Sequence, residues 1–245
     1  MREFHIPRNP YDDHIVYRHP KFTIEPGITV LVGCNGSGKS TMLKAISQQL
    51  QKEDIPVYSF DNYHEGGSWS MSRATFFGDY NFVCQAVTSS EGERIVLNTG
   101  NAAKECVTFM NSHGEKRGVE EEFINRFNAV IHSDNGSEDK PAPKEYWILL
   151  DAIDSGLSVD NIVELKEYFL KPFLEDFSKN AEIYIVVSAN EYELCRGERC
   201  FDVQEGKYVP LNSYEQYRRL ILKSRKYKDA RIEGAAKKSE KKNNN

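Results

Sequence analysis

Eight consecutive residues, Gly33-Cys34-Asn35-Gly36-Ser37-Gly38-Lys39-Ser40, carry the most specific chemistry in the chain. They satisfy the pattern G-x-x-x-x-G-K-[ST]. Glycines at these positions let the backbone bend until successive N–H groups point inward at phosphate oxygens, with the positive end of the following helix behind them. Lys39 is spaced to reach the outer phosphates of a nucleotide and Ser40 to hold Mg²⁺. The phosphate-binding set is therefore Gly33, Asn35, Gly36, Ser37, Gly38, Lys39, Ser40 and Thr41, while Cys34 occupies an unconstrained position. A second acidic position completes the pattern: Trp147-Ile148-Leu149-Leu150-Asp151 is an apolar run closed by a carboxylate. A strand of that kind presents its terminal aspartate to a metal at the sheet's carboxyl edge. A nucleoside triphosphate and Mg²⁺ are the implied ligands, with Ser40 and Asp151 in the metal shell.

Those residues need a strand before the glycine loop and a helix after it. ITVLV at 28–32 is apolar enough for a buried strand, FTIE at 22–25 forms another, and Pro26-Gly27 separates them. Met42, Leu43, Ile46 and Leu50 recur at helical spacing behind the loop. Further strands are predicted at 57–60, 146–151 and 182–189, and helices at 93–110, about 119–130 and 159–177, the last with a bend or end near Pro172. The polar run 61–72 is either a plain surface connection or a segment facing the site. Strands alternating with helices predict an α/β fold with parallel central strands.

The chain has 245 residues, 39% hydrophobic and 11% aromatic, with a net charge of -5. That is enough for a sizeable core, and the acidity argues against wholesale wrapping around nucleic acid. Five cysteines without a CxxC pair support neither a disulfide framework nor a zinc site. The histidines, among them His14, His19, His64, His113 and His132, lack metal-ligand spacing. No apolar run is long enough for a membrane helix, and the polar amino terminus does not read as a signal peptide. A reduced, cytoplasmic, membrane-free protein is expected.

The stretch PGITVLVGCNGSGKSTMLKAI resembles the first half of an ABC-type ATPase head. The resemblance extends to the acidic strand and to a short segment between the two. It takes in small bacterial and phage ATP-binding proteins labelled AAA family and heads related to the RecF and chromosome-maintenance groups. It implies a P-loop NTPase fold with a mostly parallel central sheet flanked by helices, and an antiparallel β portion. It also implies ATP-dependent closure of two heads into a homodimer, with a signature loop from one meeting nucleotide on the other. Ser89-Ser90-Glu91-Gly92-Glu93 resembles that signature, which would place Ser90 and Gly92 at the composite site. The long separation of Gly92 from Asp151 points to an insertion spanning about 111–144. The stretch from Lys39 to Gly92 is too short for a coiled-coil arm, so the head is compact.

The resemblance also exposes departures. In ABC-type heads a glutamate that positions the attacking water follows the aspartate, and here that position is Ala152. Ser155-Gly156-Leu157-Ser158 matches the next turn apart from its last residue. If the strand continued past Asp151, residues 152 and 154 would point to one side, and Asp154 would orient water in place of the glutamate. The alternative is that Asp154 caps the following turn. The histidine expected after the 182–189 strand is replaced by Asn190, and the glutamine expected after 57–60 by Asp61 or, less well, Gln85. Tyr17 either stacks on adenine or packs in the protein. These departures predict slow ATP hydrolysis, with Asp154 and Lys39 as catalytic residues, or else a nucleotide switch that does not hydrolyse.

The expected organisation is an ATP-binding domain over 1–211, a helix over 212–230 and a basic, disordered tail over 231–245. Lys and Arg are dense from 212 onward, which suits either a solvated helix or contact with a protein or DNA partner.

Overall fold

The computed structural model describes residues 1–6, 16–62, 84–85, 91–114 and 142–243, with the side chains of 91–92 and 235–243 left undescribed. The loop 63–72, the helix expected near 119–130 and Ser90 lie outside these residues.

Among the described residues six strands form the central sheet. They are β3 (Gly27–Val32), β4 (Val57–Asp61), β5 (Glu145–Asp151), β6 (Glu182–Ser188), β7 (Arg199–Asp202) and β8 (Lys207–Val209), in the spatial order β4-β5-β6-β3-β7-β8. All neighbours run parallel except β7 and β8, which are antiparallel. A separate antiparallel pair joins β1 (Arg2–His5) to β2 (Lys21–Ile24). Connections through helices return each parallel strand in the same direction, so the carboxyl ends of β3, β4, β5 and β6 share one rim. That rim receives Val32, Asp61, Asp151 and Ser188.

Alternation along the strands sorts two cores. Leu31, Trp147, Leu149, Tyr184 and Val186 point to one face, where helix α1 (Lys39–Lys52) lays Met42, Leu43, Ile46 and Leu50 and the small sheet adds Phe4 and Phe22. Trp147 and Tyr184 stack there with ring centroids 3.9 Å apart. On the opposite face, Val30, Ile148, Leu150, Ile185 and Val187 pack against helix α2 (Glu91–Asn111) through Ala102, Cys106 and Phe109. Burial of this many large apolar side chains on both faces is what a parallel sheet requires.

After β5 come α3 (Val159–Glu164), a π-helical turn (Leu165–Leu170) and α4 (Lys171–Phe177). The bend or end expected near Pro172 is therefore met differently: the helix widens in the turn before the proline and continues. A proline lacks the N–H for the regular ladder and its ring crowds the preceding turn, and a π turn relieves both. A short helix α5 (Tyr192–Cys195) precedes β7. The last helix, α6, spans Tyr214–Asn243, so the backbone of 231–243 is helical where a disordered tail was expected. Its sequence has few helix breakers, and lysine, arginine, alanine and glutamate sustain the helix. No helix among the described residues is long and apolar enough to cross a membrane.

Candidate functional site

The glycine loop leaves β3 at Val32 and enters α1 at Lys39. Gly38, the residue before the helix, is left-handed at φ 99°, and a Cβ there would overlap the ring of Tyr17. Tyr17 itself is buried, and its hydroxyl donates to the Gly38 carbonyl at 2.5 Å. Burial pushes its phenol up to about 12 against the opposing bond to Thr41, so it stays neutral. Of the two roles open for Tyr17, the structure shows packing against the loop. The helix has no side-chain N-cap bond, which leaves its first amides to a ligand. Ser37 Oγ is buried without a hydrogen-bond partner. An unpaired hydroxyl at a bare helix start is the arrangement an anion completes.

A cleft of about 480 Å³ opens over the loop. It is lined by Val16, Tyr17, the run 35–41, Asp151, Ala152, Ser188 and Asn190. Its size is that of a small-molecule site. The Lys39 ammonium donates to the Gly33 carbonyl at 2.9 Å. Burial lowers its pKa, partly offset by the negative charge of Asp154 and, further down the order, Asp151. Asp151 stands across the cleft. Its Oδ1 accepts the Ser188 hydroxyl at 2.5 Å, and that same hydroxyl accepts the Ala152 amide at 2.7 Å. Oδ2 has no bond among the described residues, which suits a metal ligand facing Ser40 and phosphate oxygens. The described residues contain no cluster of three or more His, Cys, Asp or Glu. One carboxylate, one hydroxyl and phosphate oxygens are a common set for Mg²⁺.

Asp154 does not line the cleft. Strand β5 ends at Asp151, and Ala152 is left-handed at φ 53°, so the chain turns away before the alternation could carry Asp154 to the position expected of it. Asp154 is fully buried. Its Oδ2 accepts the amides of Asn190 at 2.7 Å and Glu191 at 2.8 Å, and its Oδ1 the Asn190 side-chain amide at 3.4 Å. Burial raises its pKa, opposed by those two backbone amides. In this geometry Asp154 fastens the turn after β6 and is not directed at a water on the cleft side. A left-handed alanine costs about 1–2 kcal/mol. Here the amide bond to Ser188 offsets it, as do bonds to the Ala152 carbonyl from Ser155 N at 3.0 Å and Asn62 Nδ2 at 3.0 Å.

Asn190 reaches the cleft, but its side-chain amide is engaged by Ser155 Oγ at 2.8 Å as well as by Asp154. Asp61 ends β4 in register with Asp151. The residue after it, Asn62, is the one that reaches the turn, bonding the carbonyls of Ala152 and Ser155. Its position next to Asp61 was the only signal available. Gly92 lies in the first turn of α2. Ile95 of that helix packs where a Cβ on Gly156 would fall, so the start of α2 sits beside the turn that follows Asp151.

Helix α6 contributes contacts that spacing could not reveal. Ser224 Oγ accepts the Cys34 amide at 3.0 Å, Lys228 Nζ donates to the Asn35 carbonyl at 2.8 Å, and Tyr217 donates to the Asn190 carbonyl at 2.7 Å.

A comparison with curated proteins finds no match. The family described as an AAA domain matches over residues 14–245, which takes in the glycine loop, Asp151 and the whole of α6. A glycine loop between β3 and α1, an aspartate at the end of β5, parallel to β3 with β6 between them, and this match lead to one conclusion: the chain belongs to the AAA domain family of P-loop ATPases.

Proposed function

We propose that the chain binds ATP with Mg²⁺ in the cleft over Gly33–Thr41, hydrolyses it slowly, and closes with a second copy while the triphosphate is bound. The observation that carries the reading is the set of Ser37, Lys39 and Asp151 around one cleft, each with bonding capacity directed to a phosphate and its metal. ATP supplies the phosphates, and the bound Mg²⁺ neutralises their charge. Lys39 then holds the outer phosphates, while Ser40 and Asp151 hold the ion.

Slow hydrolysis follows from the acidic inventory. Among the described residues Asp151 is the only carboxylate lining the cleft, and a metal-bound carboxylate is a poor water-orienting base. Loss of a positioned base lowers a rate by roughly 100- to 10,000-fold. The same observation favours a second reading, a switch that binds ATP without hydrolysing it. Association of two heads is supported by the position of α2 beside the Asp151 turn and by the similarity of 89–93, with Ser90 and Gly92, to a signature loop. The exposed basic face of α6, with Arg218, Arg219 and Lys226, is the part suited to a protein or DNA partner.

Steady-state phosphate release by the wild type against Lys39→Ala tests hydrolysis. Release above the variant's level supports the ATPase reading, and equal release with retained ATP binding supports the switch. Mass in solution with and without ATP and Mg²⁺ tests association: an unchanged monomer mass with ATP bound removes the dimer.

A further inference from the structure

Helix α6 lies across both lips of the cleft. Tyr217, Ile221, Ser224 and Lys228 recur at intervals of four, three and four, which places them on one helical face. Tyr217 is tied to the Asn190 lip, where its hydroxyl donates to the carbonyl at 2.7 Å. Ser224 is tied to the glycine-loop lip through the Cys34 amide at 3.0 Å, and it is itself buried. Gln204 adds a bond to the Ser224 carbonyl at 3.3 Å. The Arg18 guanidinium lies over the Tyr227 ring at 4.5 Å, and Lys223 pairs with Glu205 at 3.4 Å. A side chain one turn beyond Ser224 is therefore presented from a fixed backbone.

That side chain is Lys228. Its ammonium sits on the outer limb of the glycine loop, 2.8 Å from the Asn35 carbonyl and 3.4 Å from where a Cβ on Gly36 would stand. Both Asn35 and Gly36 line the cleft. Among the described residues no carboxylate lies within ion-pair distance of Lys228, whereas three other α6 cations are paired: Arg218 with Glu215, Lys223 with Glu205, Arg225 with Asp229. A cation held beside a phosphate loop without an anion is incomplete in charge, and a neutral carbonyl supplies only part of what a phosphate would.

We propose that Lys228 is a phosphate-binding residue delivered by α6, which leaves the Asn35 carbonyl to bond the terminal phosphate and so makes the cleft distinguish ATP from ADP. The assignment rests on the cleft taking ATP. Lys39 holds the inner limb, at Gly33, and Lys228 the outer limb, at Asn35, so a third phosphate extending past Lys39 meets a second cation from the far end of the chain. The added charge acts only when that phosphate is present. It also links the content of the cleft to the position of α6.

The test is calorimetric titration of the full chain with Mg²⁺ and either a non-hydrolysable ATP analogue or ADP, for wild type, K228Q and K228R. K228Q is expected to bind the analogue about tenfold more weakly, as loss of one exposed charge-assisted bond implies, and ADP within twofold of wild type. K228R restores most of the analogue affinity. Equal loss for both nucleotides, which a plain carbonyl cap predicts, overturns the assignment, as does no change in either. The ratio of the two affinities remains decisive even if K228Q unfolds at lower temperature, since a general weakening lowers both. Wild type that binds neither nucleotide overturns the ATP reading and this assignment together. Wild type that binds both, with an unchanged ratio in K228Q, overturns this assignment alone.

Discussion

The Asp154 carboxylate accepts the backbone amide of Asn190 at 2.7 Å, tying the turn after β5 to the turn after β6 beneath the cleft. The same oxygen takes the Glu191 amide. Replacement with alanine strands two buried donors, each worth roughly 1–3 kcal/mol, so Asp154→Ala is expected to lose about 3 kcal/mol of unfolding free energy. Asp154→Asn keeps one acceptor oxygen and is expected to lose about 1 kcal/mol. Urea denaturation measures both. A fall in turnover by Asp154→Asn with unchanged stability would return Asp154 to the water-orienting role.

Ala152 lines the cleft, at the position that the resemblance to ABC-type heads would assign to a water-positioning glutamate. Ala152→Glu is expected to raise steady-state phosphate release at least tenfold, within the range a positioned base supplies. Its left-handed backbone accepts a longer unbranched side chain at little further expense, whereas Ala152→Val is expected to destabilise by more than about 1 kcal/mol. Phosphate release and thermal unfolding separate the two effects.

Asp151 lines the cleft and holds Ser188 through one oxygen. Asp151→Asn is expected to weaken ATP binding by about tenfold or more in Mg²⁺ while leaving binding in excess chelator within about twofold. The affinity ratio with and without Mg²⁺ is the measurement.

Burial holds Lys39 below the usual lysine range in the free protein, and triphosphate beside it raises that pKa. ATP binding therefore takes up a proton at any pH between the two values, and affinity falls as pH rises through the lower, free-protein value. Each unit between them corresponds to about tenfold in affinity. Titration at a series of pH values rising to the usual lysine range, in buffers of different ionisation enthalpy, reads the proton directly. Lys39→Arg, which stays charged, is expected to abolish the uptake.

The glycine loop was legible because its chemistry is local: one strand, one bend and one helix within Gly27–Lys52. The acidic strand was legible for the same reason. Asp154 was not, because the outcome turned on one backbone angle. An extended Ala152 would have brought residue 154 to the cleft, while φ 53° sends it beneath. A composition of ordinary residues gives no sign of that choice, and bonds from Ser188 and Asn62, distant in sequence, fix it. Asn62 escaped notice because its role lies in two carbonyls, which no spacing rule predicts. Pro172 predicts a bend or end of the helix, and the π turn before it shows that widening is a third outcome, set by packing on the sheet. The contacts of α6 with the loop join residues 190 and 193 positions apart, and no periodicity in either segment refers to the other.

That separation has a consequence for biosynthesis. The glycine loop leaves the ribosome early, yet Cys34 and Asn35 gain their α6 partners only after Ser224 and Lys228 have emerged. Chains fold as they are made, amino-terminal parts first, and contacts of long range come last. The outer wall of the cleft is thus laid down after the loop itself. A nascent chain stalled before α6 would carry the loop and its strand with one lip of the cleft unbraced, so full nucleotide affinity would wait on the emergence of α6.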